Sequence, residues 1–420
     1  MPGTYPITIQ VLVDLGSSPT FPVSGTAFTL DSATYGKLNT NFLGAENSKV
    51  VDVSSQVLKI NIKGGYNLLQ DQFEANQGTI RLYDPQGWWN PQNTSSPYFG
   101  FLQVNKKVRF NAIYNGVTYP QFSGYINAYN YSYPQDMSFG YVDLVVCDVF
   151  RLFNLVNIST VAGATAGQTT GARINTILDN LNYPSTLRSI DTGDYTVQAD
   201  PGTARTALLA MKNIETVEQG ALYADAIGNV VFKSRTNVIK TGGSAPITYF
   251  SNDSTGISYA NITFAHDDKL IVNQFVGQRV GGTTQTYQDL ASMAIYFPHT
   301  VNMTNLLAQT DAQVLDIARV YVSTRKDTTI RIDNITQDLT TPNYDAGIVA
   351  ALSLDYFNTV NIKNVQSNGS TIQKTLQIMG SNYTVTPNSY DISFTTSESI
   401  VDGFVLNSVT EGILDTSILN

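Results

Sequence analysis

The side chains that most often carry catalysis or hold metal ions are scarce in this sequence. Among 420 residues there are two histidines, His266 and His299, and one cysteine, Cys147. A zinc site or a Ser-His-Asp triad needs such residues in matched sets. The segment His266-Asp267-Asp268 could ligate a cation, but no second His, Cys or Glu stands at ligand spacing. We therefore predict no metal site and no cofactor.

Acid pairs and glycine-rich loops also match catalytic templates poorly. Glycoside hydrolysis needs two carboxyl groups roughly 5 to 9 Å apart, and Glu215 and Glu218 would share one helix face. Two acids on a helix are usually just solvated. The run from Gly163 to Gln168 lacks the Lys-Ser/Thr that a phosphate-binding loop requires, which favours a flexible linker. These residues predict a protein that is not an enzyme.

An aromatic, proline-rich loop is the clearest candidate for a contact surface. It contains Trp88, Trp89, Tyr98 and Phe99. Aromatic rings can stack on sugars, but aromatic loops more often serve packing or protein contact. Two interpretations stay open, a loop that pins itself to its own sheet and a loop that binds a polysaccharide or receptor.

Composition favours strands. Hydrophobic residues make up 42% of the chain and charged residues 14%, with 24 tyrosines and 31 glycines. Val, Ile, Thr and Tyr suit half-buried strands, and Gly, Asn and Ser supply turns. No segment approaches the ~18 apolar residues of a membrane span. The net charge of −9 is spread without the basic stripe that stable nucleic-acid binding requires.

Local signals place turns and helices along the chain. Four turn dipeptides between strand-like runs predict β-hairpins, because Asn and Gly tolerate positive φ: Asn115-Gly116, Gly228-Asn229, Gly281-Gly282 and Asn368-Gly369. Three segments have helical spacing and a start signal. They lie at about Gly171 to Leu181, from Asp200-Pro201 onward, and after the capping box Thr310-x-x-Gln313.

These signals divide the chain into two β regions with an α+β insertion, and the stretches 162–171 and 241–254 have linker composition. The expected units are an N-terminal arm or small β extension at 1–47, a first β domain at 48–160, an α+β insertion domain at 161–255, and a second β domain with one flanking helix and a C-terminal segment at 256–420.

Several segments together carry a family pattern. One runs from Asp71 to Leu82 and continues through Asp84-Pro85 to Tyr98. The next, Tyr114 to Ile126, has the form YNG-TYP-F-GYI, with Asn115, Gly116, Tyr119, Pro120, Phe122, Gly124 and Tyr125 at the pattern positions. Looser matches lie between Ile177 and Gly193, at Gly380–Pro387 and at Leu414–Thr416. In these segments the chain resembles the minor tail proteins, or baseplate hub proteins, of tailed bacteriophages of the siphophage type.

The resemblance implies a structural protein of the virion tail tip, made in the host cytoplasm. Relatives contain two tail-tube-like β-barrel or sandwich domains and commonly form homotrimers, which places six barrels in a ring. Such a ring would close the distal end of the tail tube. It would contact the distal tail protein or tube, the tape measure protein and fibre or spike proteins, with DNA passing transiently through its lumen. We expect carboxylates to line that lumen and repel DNA.

Two alternatives to a hub remain. A distal tail protein would form a ring of six chains instead of three. A receptor- or polysaccharide-binding tail protein would use Trp88, Trp89 and their neighbours. The resemblance does not cover 1–47. We expect no lytic or fibre-like domain after the second β region, and this weakens any expectation of cell-wall hydrolysis.

Overall fold

The computed structural model describes residues 5–16, 50–68, 70–135, 137–340 and 345–398. Most of the expected arm at 1–47 and the match at Leu414–Thr416 lie outside these residues. The strands are β1 Thr8–Asp14, β2 Val50–Asp52, β3 Val57–Asn67, β4 Gln72–Tyr83, β5 Lys106–Tyr114, β6 Val117–Ser132, β7 Tyr141–Cys147, β8 Asn157–Ile158, β9 Gln168–Thr169, β10 Arg188–Ile190, β11 Thr196–Val197, β12 Arg205–Thr206, β13 Ala221–Ala224, β14 Val230–Lys233, β15 Thr248–Ser251, β16 Asn261–Ala265, β17 Gln274–Arg279, β18 Gln285–Gln288, β19 Thr300–Leu306, β20 Arg331–Asp338, β21 Thr359–Val365, β22 Thr371–Thr386 and β23 Ser389–Glu398. The helices are α1 Phe150–Leu155, α2 Thr170–Asn180, α3 Ala207–Glu218, α4 Arg235–Gly242, α5 Leu290–Tyr296, α6 Asp311–Ser323 and α7 Asp345–Ser353. The predicted mainly β fold with a few helices is confirmed.

Strands β1 to β7 make up the first β unit. They pair antiparallel in the order β3-β4-β7-β6-β5-β1-β2. β2 continues through the 3₁₀ turn Ser54–Gln56 into β3, so the chain itself connects the two ends of this sheet. The Val53 amide donates to the Val11 carbonyl at 2.9 Å, which fixes the corner against β1.

Strands β15, β16 and β20 to β23 make up the second β unit. They pair in the order β16-β20-β23-β22-β21-β15. β15 also pairs with the residues that lead into β16. The Ile257 amide donates to the Tyr249 carbonyl at 2.8 Å, and the Ser251 amide donates to the Ile257 carbonyl at 2.9 Å. The second unit therefore repeats the succession of partners seen in the first.

One hydrophobic core runs through both β units. Inward side chains alternate with outward ones along the strands, as the period of two requires, and Val11, Phe110 and Ile392 are fully buried in this core. The Phe110 ring lies 6.0 Å from that of Tyr383 and 6.4 Å from that of Tyr390. The two units consequently pack against each other over their apolar faces.

Helices cluster in two further places. Residues 148–247, here the α+β unit, place α1 to α4 around the small sheet β10-β14-β13, with Leu178, Ile214 and Phe232 buried between them. A second insertion, between β16 and β20, packs α6 on the sheet β18-β17-β19. No helix in the described residues is long and apolar enough to cross a membrane.

The local predictions hold where a specific turn or cap is encoded. All four hairpins form, and Thr310 with Gln313 makes the predicted capping box of α6. The predicted start of the second helix at Asp200-Pro201 is wrong. α3 begins at Ala207 under the side chain of Thr206, because the Asp200 carboxylate is bound by Arg205 at 2.5 Å.

Further short elements escaped prediction. The described residues contain seven α-helices where three were expected, the additional ones being α1, α4, α5 and α7. Each spans nine residues or fewer, which leaves little room for a periodic pattern. The stretch 241–254, expected to be a linker, includes β15, which pairs with β21.

Candidate assembly surface

The two β units are joined by direct strand pairing. β22 pairs antiparallel with β3 from Val385 opposite Ile60 to Gly380 opposite Gly65. The first half of β22 pairs instead with β21 of its own unit. A single ladder of backbone hydrogen bonds therefore passes from one unit into the other.

Glycines permit the close approach at one end of this junction. Gly65 has a φ of +139°, and a Cβ atom on it would lie 2.3 Å from the Cα of Gly380. A Cβ on Gly380 would in turn lie 2.9 Å from the Gly64 carbonyl oxygen. Any side chain on Gly65 or Gly380 would force the strands apart, so the junction requires glycine at both positions. Gly64 is restricted by β4 instead, because a Cβ atom on it would lie 1.6 Å from the Asn76 side-chain oxygen.

The outward side of the joined sheet is the surface that we call the bridging face. Its side chains alternate with the buried ones on β20, β23, β22, β3, β4 and β7, and pair across strands in continuous rows. They are Thr336, Asp338, Asp391, Ser393, Asn382, Thr384, Lys59, Asn61, Lys63, Gln77, Thr79, Arg81, Asp143 and Val145. Six of these fourteen side chains are Thr, Ser or Asn. The same side continues at Tyr83 and Tyr141, which pair next along β4 and β7, and the Arg81 guanidinium lies 4.1 Å from the Tyr141 ring centroid.

Charges on the bridging face are balanced, with three basic and three acidic side chains in the set just defined. Arg81 binds Asp143 through two nitrogens, at 2.7 and 2.9 Å. Asp338 and Asp391 stand directly opposite each other, and burial together with the Asp338 charge raises the pKa of Asp391. The formal acidity of the chain is thus not concentrated on this face.

The predicted hairpin motif links two cores. Asn115 and Gly116 have φ of 49° and 77°, as a type I′ turn requires. Beyond the turn, Phe122 is buried in the core of the β units and Tyr125 in the core of the α+β unit. Tyr119 is half-buried, Pro120 is exposed, and a Cβ on Gly124 would lie 2.4 Å from the Cys147 carbonyl oxygen.

The aromatic loop is divided between core and surface. Trp89 is fully buried and Tyr98 is 6% exposed, their rings 5.0 Å apart. The indole nitrogen of Trp89 donates to Gln56 at 3.2 Å. Trp88 and Phe99 remain 37% and 47% exposed. Two of the four predicted contact residues therefore pin the loop to its sheet, and two are accessible.

Asp84 organises the start of that loop. Its carboxylate accepts the backbone amides of Trp88 at 2.7 Å and Trp89 at 3.1 Å, and the Tyr133 hydroxyl at 2.7 Å. This buried acid fixes which of the two indoles enters the core. The sequence signal for it is the Asp84-Pro85 turn, which is part of the family pattern.

The expectation that Glu215 and Glu218 are solvated is wrong. Both are buried, at 2% and 0% exposed, and burial raises the pKa of each carboxyl. Glu215 binds the Lys212 ammonium at 2.8 Å. Glu218 accepts the Thr170 hydroxyl and three backbone amides, those of Asp194, Tyr195 and Arg235. These acids hold the α+β unit together, with their oxygens engaged by protein donors.

A second group of buried charges ties the α+β unit to the first β unit. Asp148, directly after β7, accepts the amides of Asn76 at 2.6 Å and Phe150 at 3.0 Å. Burial raises the pKa of its carboxyl to about 7. The Lys212 ammonium donates to the carbonyls of Phe73 in β4 and Leu222 in β13, so α3 is anchored on both sides.

The segment His266-Asp267-Asp268 follows β16. The Asp267 carboxylate is bound by Arg331 at 3.0 Å and approached by Lys269 at 3.6 Å. Within the described ranges no three His, Cys, Asp or Glu side chains come together in a way that could hold a metal ion.

Comparison with known proteins finds solved structures that share the fold of this chain. No family model matches the sequence and no curated protein matches it. The tail protein from Neisseria meningitidis MC58 has a TM-score of 0.56 at 9% identity, covering 94% of this chain and 98% of that one. The 43 kDa tail protein of prophage MuSo2 from Shewanella oneidensis has 0.52 at 12%, covering 84% and 96%. This chain has a tail-protein fold.

The family pattern includes positions in β6, a strand that contributes to two cores. The junction between β3 and β22 was not predicted. Its only sequence signals were Gly64-Gly65 inside a strand pattern and Gly380 at the start of a looser match.

Proposed function

We propose that this chain is a structural subunit of a phage-type tail tip, a hub that assembles as a homotrimeric ring at the distal end of a tail tube. The observation that supports this most is the pair of β units with the same succession of strand partners, joined into one sheet by β3 and β22. Three such chains present six similar units, and closed cyclic symmetry would arrange them as a ring.

The bridging face suits the lumen of that ring. DNA binding depends on neutralising phosphates with Lys and Arg, and this face has no excess of basic over acidic side chains. DNA would therefore pass without being held. The balanced charge favours a neutral lining over the acidic lining expected from composition.

The remaining surfaces are available for neighbours. In this proposal one rim of the ring contacts a distal tail protein or the tail tube, the other contacts fibre or spike proteins, and the tape measure protein ends at the lumen. The accessible rings of Trp88 and Phe99 favour a protein contact at the aromatic loop. A sugar site there would lack Trp89, which is buried.

The stoichiometry of the purified protein tests the proposal. We expect three chain masses by light scattering, and three-fold symmetry with the bridging faces inward by electron microscopy. Six chain masses would favour a distal tail protein ring instead. A protein that stays monomeric at tens of micromolar and is absent from purified tails would exclude both. Retention of polysaccharide by the wild-type chain but not by Trp88→Ala would support receptor binding.

A further inference from the structure

A cleft of about 290 Å³ lies where the two β units and the α+β unit meet. Its walls come from residues 119–122 of β6, from 224–227 at the end of β13, and from 352–356 at the end of α7. Ile62, Ile378 and Phe394 form an apolar floor. These floor residues lie on the inner side of the joined sheet, so the cleft is separate from the bridging face.

Interrupted strand pairing surrounds this cleft. Gln121 is the extra residue of a bulge between the pairs Phe110–Phe122 and Asn111–Pro120. The pairing of β3 shifts at Gly64, and that of β22 shifts just after Ile378. Bulges re-aim side chains and are frequent beside binding sites. Here the bulge turns the Gln121 side chain toward the cleft, and the shifts in β3 and β22 lie next to the lining residues Gly64 and Ile378.

Three side-chain donors at the cleft wall are engaged by the protein. The Asn76 amide donates to the Ala224 carbonyl at 3.2 Å, and the Gln121 amide donates to the Leu352 carbonyl at 3.1 Å. The Tyr356 hydroxyl donates to the Asn76 side-chain oxygen at 2.7 Å. These bonds also cross between the three units, so they hold the cleft open in a defined shape.

Acceptors are left over. Gln121 is 6% exposed, and its Oε1 atom has no donor among the described residues. Asp355 accepts its neighbour's amide, that of Tyr356, through one oxygen at 2.7 Å, and its other oxygen has no protein donor in the same described residues. Asp355 is an exposed lining residue of the cleft, and Asp225 is a second carboxylate in its wall. The site is therefore rich in acceptors and electronegative.

We propose that this cleft binds an organic cation on an aliphatic stem, the chemistry of a Lys or Arg side chain. Ammonium and guanidinium groups are donors without acceptors, which complements Gln121 Oε1 and the free Asp355 oxygen. The ring of Tyr356 can add a cation–π contact. The apolar floor takes the methylene stem, as such floors do for long basic side chains. The source is a side chain of a neighbouring protein or a free amine.

A matched pair of probes tests the chemistry on the full chain. N-acetyl-arginine amide and N-acetyl-citrulline amide have similar shape, but only the first is charged. By calorimetry we expect saturable binding of the arginine probe and at least tenfold weaker binding of the citrulline probe. Equal affinities, or no arginine binding at 50 mM, would overturn the proposal.

Variants tie the binding to this cleft. Asp355→Asn should weaken the arginine probe at least tenfold, whereas Asp268→Asn, an exposed aspartate elsewhere, should not. Ser353→Arg places a guanidinium at the cleft mouth and should block binding of the arginine probe. This second variant tests the proposal if the Asp355→Asn protein does not fold. Unchanged binding in a folded Asp355→Asn or Ser353→Arg protein would show that the cation binds elsewhere, and the proposal would be wrong.

The two sources are separated in assembled tails. Carbodiimide treatment followed by mass spectrometry would couple Asp355 to a lysine of a neighbouring chain if a side chain fills the cleft. A free amine would instead be released from purified protein on denaturation. Neither result depends on the oligomeric state. The cation-binding proposal can therefore be wrong while the ring proposal is right, and the ring proposal can be wrong while cation binding is right.

Discussion

The two β units share the order of strand pairing and differ in the direction of one strand. In the first, β1 runs antiparallel to β5, and in the second the corresponding β15 runs parallel to β21. β15 is also shorter, with four residues against seven for β1. The succession of strand partners is thus the common property of the units. The first strand of each unit can run in either direction, because its neighbouring strand can form parallel or antiparallel hydrogen bonds with it.

The connections differ more than the strands. β3 and β4 are joined by residues 68–71, whereas the corresponding β16 and β20 are separated by 266–330, which hold a sheet and two helices. The next connection is a buried-tryptophan loop in the first unit and contains α7 in the second. The scaffold is repeated, and what is specific to each unit lies in its connections.

The largest expected effect is at the junction between the units. Gly65→Val combines a β-branched residue at φ +139° with overlap against Gly380. We expect the free energy of unfolding to fall by about 5 kcal/mol, from backbone strain plus overpacking. Urea denaturation measures it. Gly100→Val, also at positive φ but with open space around it, is the control. Equal losses in both would show that the close approach is not what matters.

The aromatic loop of the first unit is expected to be the next most sensitive place. Trp89→Ala should lower the free energy of unfolding by about 4 kcal/mol, because it empties a fully buried site. Trp88→Ala should change it by less than about 1 kcal/mol, because that ring is partly exposed. Thermal denaturation of both variants gives the comparison. A reversed order would mean that the core contains the other indole.

The free energy of unfolding should depend on pH through a residue at the end of the first β unit and not through one at the end of the second. Asp148 follows the last strand of the first unit, and its pKa is raised to about 7 by burial, whereas an exposed Asp has about 4. The folded chain then holds a proton that the unfolded chain has lost. The free energy of unfolding should fall by about 2 kcal/mol between pH 5 and 7, and then level off.

Denaturation of Asp148→Asn at both pH values checks this assignment. That variant should lose this part of the slope. Glu398→Gln, at the exposed end of the second unit, should keep it. A slope that survives in Asp148→Asn would assign the titration to another group.

The smallest expected effect is at the corresponding hairpins. Gly116 between β5 and β6 has φ +77°, and Gly369 between β21 and β22 has φ +84°. A Cβ atom on either glycine would meet no other atom of the described residues within 4 Å. Gly→Val at either should lower the free energy of unfolding by about 1–2 kcal/mol through backbone strain alone. Melting temperatures that differ clearly between the two variants would show that the hairpins are not equivalent.

Sequence patterns predicted the features that short segments encode. Asn115-Gly116 and Thr310-x-x-Gln313 specify a turn and a cap through their own side chains and φ preferences, so they formed as expected. The start of α3 was misplaced because Asp200 met a nearby arginine, and no local rule separates a capping aspartate from an ion-paired one.

The candidate surfaces were only partly predictable. The aromatic loop was found from its composition, but which of Trp88 and Trp89 is buried depends on Asp84 and on strands distant in sequence. Glu218 looked solvated because its donors, the Thr170 hydroxyl and three backbone amides, come from segments distant in sequence. Glu215 is bound by Lys212 and by the Leu222 amide, which are close in sequence, but its burial depends on the packing of α3 against β4. The junction needs Gly65 and Gly380, which are separated by most of the protein and show no pairwise signal in one sequence.

The pairing of β3 with β22 also means that each unit protects the other from aggregation. An unpaired strand edge is a template for association with other chains. If the chain were cut between its β units, residues 60–65 and 380–385 would each expose a free edge. The two fragments would then be complementary, and mixing them should favour their reunion over self-association.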